Sequence, residues 1–479
     1  MLRQLHDAIC ARPDDDTARE ALARAYDPLD AARGAFIRAQ LARARLEARQ
    51  DELGDDEQVR CDDLRRREAE LLHQSAAGWL DPVGLVPAEV QWSRGLPENV
   101  SLSWERLWLV GRAALGALPV RHLHVLGPWR GGRRYLARQV QRLARWPALP
   151  GLESLTLTNG VLEPRALAAL SCAPGLAELA ALTLTGVRIG SAGAATLATT
   201  ARLPRLRALT LQSCDIGPAG CEGLAASPQL AGLHALGLWA NRAGDRGAVA
   251  LASAAALGEL RALTLSGNRV GPVGAVALLE STHLVELRRL DLSVNPLGDE
   301  GVARLGATRP PALDELELGD VGVGSSGLAA LARSTLLGRL RVLRLPHNFF
   351  GAAGVRALTA VPHLERLEVL DLSSNSLEVE AMSALTSVAF AALRTLDLTC
   401  NRLGSEGVRA LTRARGLAEL RELDLTANSI GDEGAALLAG AAHLPRLRVV
   451  RVDHDTTISA AGLARLRARF GPGVTGATM

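Results

Sequence analysis

Along most of this chain the apolar residues fall in one short pattern: leucine, two variable residues, leucine, one variable residue, leucine. The stretch LRELDLTANSIGDEG, residues 420–434, shows it in full. Leu423 and Leu425 alternate about Asp424, which predicts a strand with both leucines inward and the aspartate outward. Gly431 and Gly434 then mark a tight turn. Ala435, Leu437 and Leu438 follow at helical spacing and predict a helix that covers the strand. Four polar residues in this run, Asp424, Asn428, Asp432 and Glu433, look like a catalytic or metal cluster until recurrence is considered.

The frame Leu-x-x-Leu-x-Leu-x-x-Asn-x-Leu recurs with its second leucine at Leu155, Leu182, Leu209, Leu236, Leu263, Leu290, Leu316, Leu343, Leu370, Leu396 and Leu423, ending at Val450. Successive intervals are 27 residues, except 26 from Leu290 to Leu316 and from Leu370 to Leu396, giving twelve units. An irregular unit around Leu123 precedes them. The cluster is therefore a repeating structural element. Asn241, Asn268, Asn295, Asn348, Asn375, Asn401 and Asn428 share the position where the chain leaves the strand. A buried carboxamide there can bond backbone groups the turn leaves unpaired, its own and its neighbour's. Gly160, Val187, Cys214 and Val321 replace this Asn, and Glu378 and Ala381 replace the Gly pair of the ninth unit.

These units resemble leucine-rich repeats over residues 120–479, and runs such as IGSAGAATLA and IGDEGAALLA resemble the helix-bearing, ribonuclease-inhibitor type. The resemblance implies an α/β leucine-rich repeat solenoid, a horseshoe with parallel strands on its concave side and helices on its convex side. It also implies protein binding without catalysis.

Residues 1–105 lack the repeat. Helical patterns run through LRQLHDAIC, through TAREALARAY after Asp14 to Asp16, and through AARGAFIRAQLARARLEAR. A polar gap, QDELGDDEQ, precedes another helix ending near Trp79. Ala8, Ile9, Pro13 to Asp16, Arg19, Arg33, Gly34, Phe36, Ile37, Arg38 and Gln40 resemble the repeat-companion domain that precedes repeats in many bacterial proteins; Tyr26-Asp27-Pro28 departs from it. Such a helical block would cap an exposed repeat end. SRGLPENVSLS, residues 93–103, reads as the first strand. The expected divisions are a cap at 1–105, a basic irregular repeat at 106–150 and the array at 151–479.

Only 3% of the residues are aromatic, and every positive charge is an arginine. The six scattered cysteines read as reduced thiols of a cytoplasmic protein. The acidic N-terminus does not read as a signal peptide, and no apolar run reads as a membrane span. No phosphate loop, nucleophile elbow or HExxH pattern occurs. A C-terminal ligase domain finds no room after the last repeat. No cofactor and no metal are expected. His122 and His124 would point the same way from a strand but lack a third ligand. His283, His363 and His443 recur at one outer-turn position, and Asp455 fills the Asn position of the last repeat.

Charge is uneven. Residues 1–105 hold 14 Arg and 21 acids, whereas residues 106–150 hold nine Arg and no acid. Arg130, Arg133, Arg134, Arg138, Arg142 and Arg145, with Trp129, Tyr135 and Trp146 near them, form a patch that could bind RNA. The competing reading sets them in solvent or against the acidic block, and nucleic acid is not the expected partner. Outward strand positions and the two residues before each Asn position carry, in units one to five, no charge and one large residue, Trp239. Units six to twelve carry nine acids against three bases there, among them Asp291, Glu317, Arg344, Asp371, Asp397 and Asp424. This acidic half either steers a basic partner, with Trp239 as an apolar anchor, or forms a solvated ladder. The expectation is a non-catalytic, monomeric scaffold for an unidentified protein. The alternatives are an enzyme regulator, as nuclease inhibitor or GTPase activator, and an RNA binder through residues 128–147.

Overall fold

The structure, a computed structural model, describes residues 1–12, 14–49, 55–127, 134–146, 151–200, 202–310, 312–360, 364–455 and 457–476. The chain divides into two compact units. The first comprises Met1–Ile189 and Thr199–Cys214, the second Gly190–Ala198 and Asp215–Met479.

The first unit opens with four helices: α1 (Leu2–Ala11), α2 (Asp16–Tyr26), α3 (Ala31–Glu47) and α4 (Asp55–Leu80). Asp15 starts α2 by accepting the Thr17 amide at 2.9 Å, and Asp30 starts α3 by accepting that of Arg33 at 3.0 Å. Each satisfies a backbone donor that the first helical turn leaves free. Six strands follow: β1 (Val90–Ser93), β2 (Leu96–Ser103), β3 (His122–Leu126), β4 (Ser154–Val161), β5 (Ala181–Arg188) and β6 (Ala208–Gln212). They lie in chain order and run parallel from β2 to β6. The first strand of the sheet is not residues 93–103 but β1, which folds back antiparallel on β2. Arg94 and Gly95 make that hairpin with φ of 47° and 87°. Leu182 faces Leu155 on one side and Leu209 on the other, so the leucine frame sets the register.

Most residues that carried the N-terminal resemblance fasten the helices to this hairpin. Arg19 is fully buried. It forms an ion pair with buried Glu98 and donates to the carbonyl of Arg94 at 3.3 Å. Gln40 accepts the Gly95 amide at 2.6 Å and donates to Glu68 at 3.0 Å. A Cβ on Gly95 would sit 2.6 Å from the Cα of Ile37, so the hairpin tip touches α3 directly. Phe36, Trp79 and Trp92 close an aromatic cluster with ring centroids 5.3 to 5.7 Å apart. Tyr26, where the resemblance departs, lies 4.6 Å under the guanidinium of Arg33.

The second unit holds β7 (Ala235–Gly237), β8 (Ala262–Thr264), β9 (Arg289–Asp291), β10 (Glu315–Glu317), β11 (Val342–Arg344), β12 (Val369–Asp371), β13 (Thr395–Asp397), β14 (Glu422–Asp424), β15 (Val449–Arg451) and β16 (Val474–Thr475). They are parallel and in chain order. The central leucines pair in sequence from Leu236 to Leu423, then with Val450 and Val474. The stack therefore runs one strand beyond Val450. That strand is only two residues long and too short to carry the leucine frame. Helices of seven to eleven residues follow the strands and pack on one another. Removing these leucines from water is the main stabilising term, at roughly 1.5–3 kcal/mol for each fully buried side chain.

The buried Asn side chains join consecutive repeats. Asn295 Oδ1 accepts the amides of Asn268 (3.0 Å) and Val270 (2.8 Å) in the preceding repeat. Its Nδ2 donates to Leu265 of that repeat and to Leu292 and Ser293 of its own. Asn268, Asn348 and Asn401 likewise accept two amides of the preceding repeat, and Asn375 accepts one, that of Asn348. Asn428 keeps the donor half, but its Oδ1 meets no donor among the described residues. Asp455 takes the position next in line and accepts the Ile430 amide at 2.6 Å.

A second link runs between helices. Asp245 accepts the amides of Gly271 and Gly274, the start of the next helix, at 2.7 and 2.9 Å. Asp299 does the same for Gly324 and Gly327, and Asp432 accepts from Ser459 through its amide and hydroxyl. Where the cap is received, the helix starts from an extended residue; Gly271 has φ −94° and Ser459 φ −77°. Elsewhere a left-handed glycine leads in, such as Gly244 at 61° or Gly431 at 64°. Glu378 replaces that glycine because its own φ is −121°, which any residue adopts. Ala381 is tolerated because Ala352 supplies no carboxylate there. At Gly327 a Cβ would lie 2.7 Å from Asp299 Oδ1.

Arg19→Ala would strand Glu98 as a buried, poorly compensated charge and should cost about 3 kcal/mol. Paired Arg19→Met and Glu98→Leu should recover most of it, as read by urea denaturation. Gly327→Ala should cost stability in the wild type and somewhat less beside Asp299→Ala, since Val323 Cγ2 at 2.7 Å and the Asp299 Cα at 2.9 Å still crowd the new Cβ; equal costs would show that the cap is not part of what excludes a side chain.

Candidate partner-binding face

The strand face of the second unit brings six of the expected partner-binding residues into one column. Strand register sets Asp291, Glu317, Arg344, Asp371, Asp397, Asp424 and then Arg451 side by side. Each lies between two buried leucines or valines, so alternation forces its side chain to the opposite face. Arg344 donates to Glu317 at 3.0 Å, while Arg451 turns to Glu422 at 3.3 Å, and Arg289 pairs with Glu315. Among the described residues Asp371, Asp397 and Asp424 form no ion pair.

Each of these aspartates has a local task. Asp291, Asp371, Asp397 and Asp424 accept the amide two residues on, from Ser293, Ser373, Thr399 and Thr426, at 2.8 to 2.9 Å. That turn needs a side-chain oxygen but no charge. The charge has a cost. Burial, joined by Asp371 and Asp424 on either side, holds the Asp397 carboxyl above its ordinary range. Burial likewise raises Glu317, against the pull of Arg344.

Trp239 lies in a different row. It stands beyond the end of β7, two residues before Asn241, 42% exposed, with its indole beside Gly267. Two residues of like character escaped sequence reasoning. Val294 immediately precedes Asn295 and Phe349 immediately follows Asn348; they are 51% and 71% exposed. Both are left-handed, with φ of 56° and 58°, which is unfavourable for a β-branched valine. The signal was present, since the positions beside Asn hold small or polar residues in most other units.

The other candidates are placed as follows. Arg130 and Arg133 lie outside the described residues, as does the side chain of Arg134. Arg138 and Arg142 are on the exposed side of the helix Arg134–Leu143, whose Leu136, Val140 and Leu143 are buried, and Arg145 is exposed in the turn that follows. Arg142 stacks 4.1 Å over Trp108. Elsewhere in the basic segment, Arg106 pairs with Glu89, and Arg121 with Asp14 and Glu153. His122 bonds Ser154 at 3.0 Å, and burial lowers the pKa of His124. The described residues hold no group of three or more side chains suited to a metal. Among the described residues, five cysteines are free, and burial pushes the thiols of Cys214 and Cys221 up to about 12. Cys214, in the Asn position, points its sulfur at the Leu184 carbonyl, 3.3 Å away. His363 lies outside the described residues. No described helix is long and apolar enough to cross a membrane.

Five segments, residues 204–225, 260–279, 283–306, 392–411 and 419–439, match a family model described as Leucine Rich repeat. With the leucine register they show that the chain carries leucine-rich repeats, in an α/β solenoid fold. No curated protein matches the chain in sequence. Among solved structures it is similar to the Rad7 and Elc1 complex in yeast, at 18% identity and a TM-score of 0.46, over 72% of this chain and 87% of that one. It is also similar to an internalin (inlF) from Listeria monocytogenes str. 4b F2365, at 19% identity and a TM-score of 0.36, over 66% and 94%. A third is the TLR13-ssRNA13 complex, at 18% and 0.33, over 80% of this chain and 47% of that one.

Asp397→Asn keeps the oxygen that the Thr399 amide needs and removes the charge. A raised carboxyl pKa means the folded state binds the proton more tightly, so wild-type stability falls as pH rises through the folded value. Asp397→Asn should therefore raise the unfolding midpoint at pH 7 and lose that advantage below pH 3.8, the ordinary value. Added salt should shrink the gain. Thermal scans across pH check both.

Proposed function

We propose that this protein is a non-catalytic scaffold that holds a basic protein partner on the strand face of its second unit. The observation that carries the reading is the unpaired run Asp371, Asp397 and Asp424. Three carboxylates stand in adjacent strands, the central one against an electrostatic cost, where an asparagine would serve the turn as well. A surface that keeps such charge at its own expense is suited to a cationic partner, which would relieve the repulsion on binding and be steered in by it. The long register of the repeat array offers an extended surface of the size proteins bind. The Rad7 and Elc1 structure, in which a similar protein forms a complex, is consistent with this use. We read the repeats as the ribonuclease-inhibitor type and the helices α1 to α4 as a repeat-companion cap, since their buried residues grip the first hairpin. An RNA role for the arginine segment has less support, because Arg142 is engaged with Trp108 and Arg106 and Arg121 are paired with acids.

Capture from a lysate of the source cell tests the reading, with the intact protein beside an Asp371→Asn, Asp397→Asn, Asp424→Asn variant. A protein of high isoelectric point should be retained by the first at 50 mM salt and reduced at least fivefold by the second, and released at 500 mM. Equal retention by both proteins would move the site away from this face.

A further inference from the structure

Trp239, Val294 and Phe349 are separated by 55 residues at each step, so they fall in every second repeat. The repeats between them present small or polar residues at the same edge: Gly267 and Arg269 in one, Gly319, Asp320 and Gly322 in the other. The three therefore stand as separate apolar knobs along the line where the strands turn into their helices. Adjacent strands lie about 4.8 Å apart, and the knobs also step forward along the strand direction. Trp239, Val294 and Phe349 sit two before, one before and one after the Asn position, so the two steps come to roughly 10 and 12 Å.

We infer that this row docks one amphipathic helix of the basic partner, with apolar residues at positions i, i+7 and i+14. This rests on the reading above, that a basic protein binds the second unit, and adds the conformation and spacing of what it presents. Seven helical residues rise about 10.5 Å, which falls between the two steps and keeps the residues near one face. An extended strand does not match. Its same-face residues recur at about 6.7 or 13 Å, and residues three apart point to opposite sides. A polyproline helix keeps one face every three residues but advances only about 9.3 Å.

Charge sets the direction. Arg269 stands between Trp239 and Val294, whereas exposed Asp320 stands between Val294 and Phe349. The carboxylates of Asp371 and Asp397 lie in the strands just beyond Phe349. The partner's Lys and Arg residues therefore belong between its second and third apolar positions and beyond them. The row supplies contact area and register, while the acidic column supplies attraction.

A displayed library of random 24-residue peptides, selected against the full chain and counter-selected against its Trp239→Ala, Phe349→Ala variant, tests this. Both side chains are exposed, and far-UV circular dichroism checks that the variant is folded. The expected result is enriched peptides with apolar residues at a seven-residue period and an excess of Lys and Arg in one half. A synthesised member should bind at least tenfold more weakly to the variant and gain helicity on binding the intact chain. Enrichment of a three-residue or two-residue apolar period would overturn the helical occupant. No enrichment, or binding unaffected by Trp239→Ala and Phe349→Ala, would overturn the row as a docking site. Selected basic peptides that ignore the knobs but need Asp371, Asp397 and Asp424 would leave the acidic-face reading standing while this one fails. Peptides that need neither would sink both.

Discussion

Every passage from strand to helix in this protein leaves backbone amides that neither element can use. From Asn241 to Leu377 most of these are accepted by the carboxamide that the following repeat inserts, as at Asn268, Asn295, Asn348, Asn375 and Asn401. Asn295 receives two amides from its predecessor and gives its own donors to carbonyls on both sides, so a single side chain closes two turns at once. An unpaired buried amide costs about as much as a lost hydrogen bond. The Asn position is thus where one repeat becomes unable to fold without the next. It also holds the chain in left-handed conformations beside Asn, and that in turn decides which residues stand out at the edge.

Much of this was legible in the sequence. Leucine spacing located an inward residue of every strand from Leu155 to Val450, the central one from Leu236 on, and alternation assigned Asp371 and its neighbours to the outward face. The Asn series marked the turns. What escaped was whatever lacks the leucine frame or depends on geometry across repeats. The flanking strands β1 and β16 are short segments, VQWS and VT, without the leucine frame. Val294 and Phe349 went unseen although the small or polar residues beside Asn in most other units mark both as exceptions; that the backbone there is left-handed, and so holds them out, is visible only in the fold. The inter-helix task of Asp432 requires knowing that Ser459, 27 residues on, lies beside it.

The acidic column illustrates how a scaffold residue and a surface residue can be the same residue. The turn after each strand explains the oxygen of Asp397 but not its charge. Likewise the buried pair of Arg19 and Glu98 explains why both are inside without making them a site, since each is the other's counterion where water is absent. Separating what the fold requires of a side chain from what remains is the step that narrows attention to a few carboxylates and three exposed apolar groups.

The aspartate caps carry a mechanical consequence. Because a cap is given from one repeat and received by the next, Asp245, Asp299 and Asp432 each clasp two repeats into a doublet, while the other junctions rely on strand pairing, leucine packing, the carboxamides and ion pairs such as Arg341 with Glu368. Repeat arrays lose structure by parting at their weakest interfaces. Ala352 gives no clasp to Glu378, so the junction between the repeat of Phe349 and that of Asp371 is one of those held without a cap. Local opening at such an unclasped junction would change the pitch between the two surfaces without unfolding either.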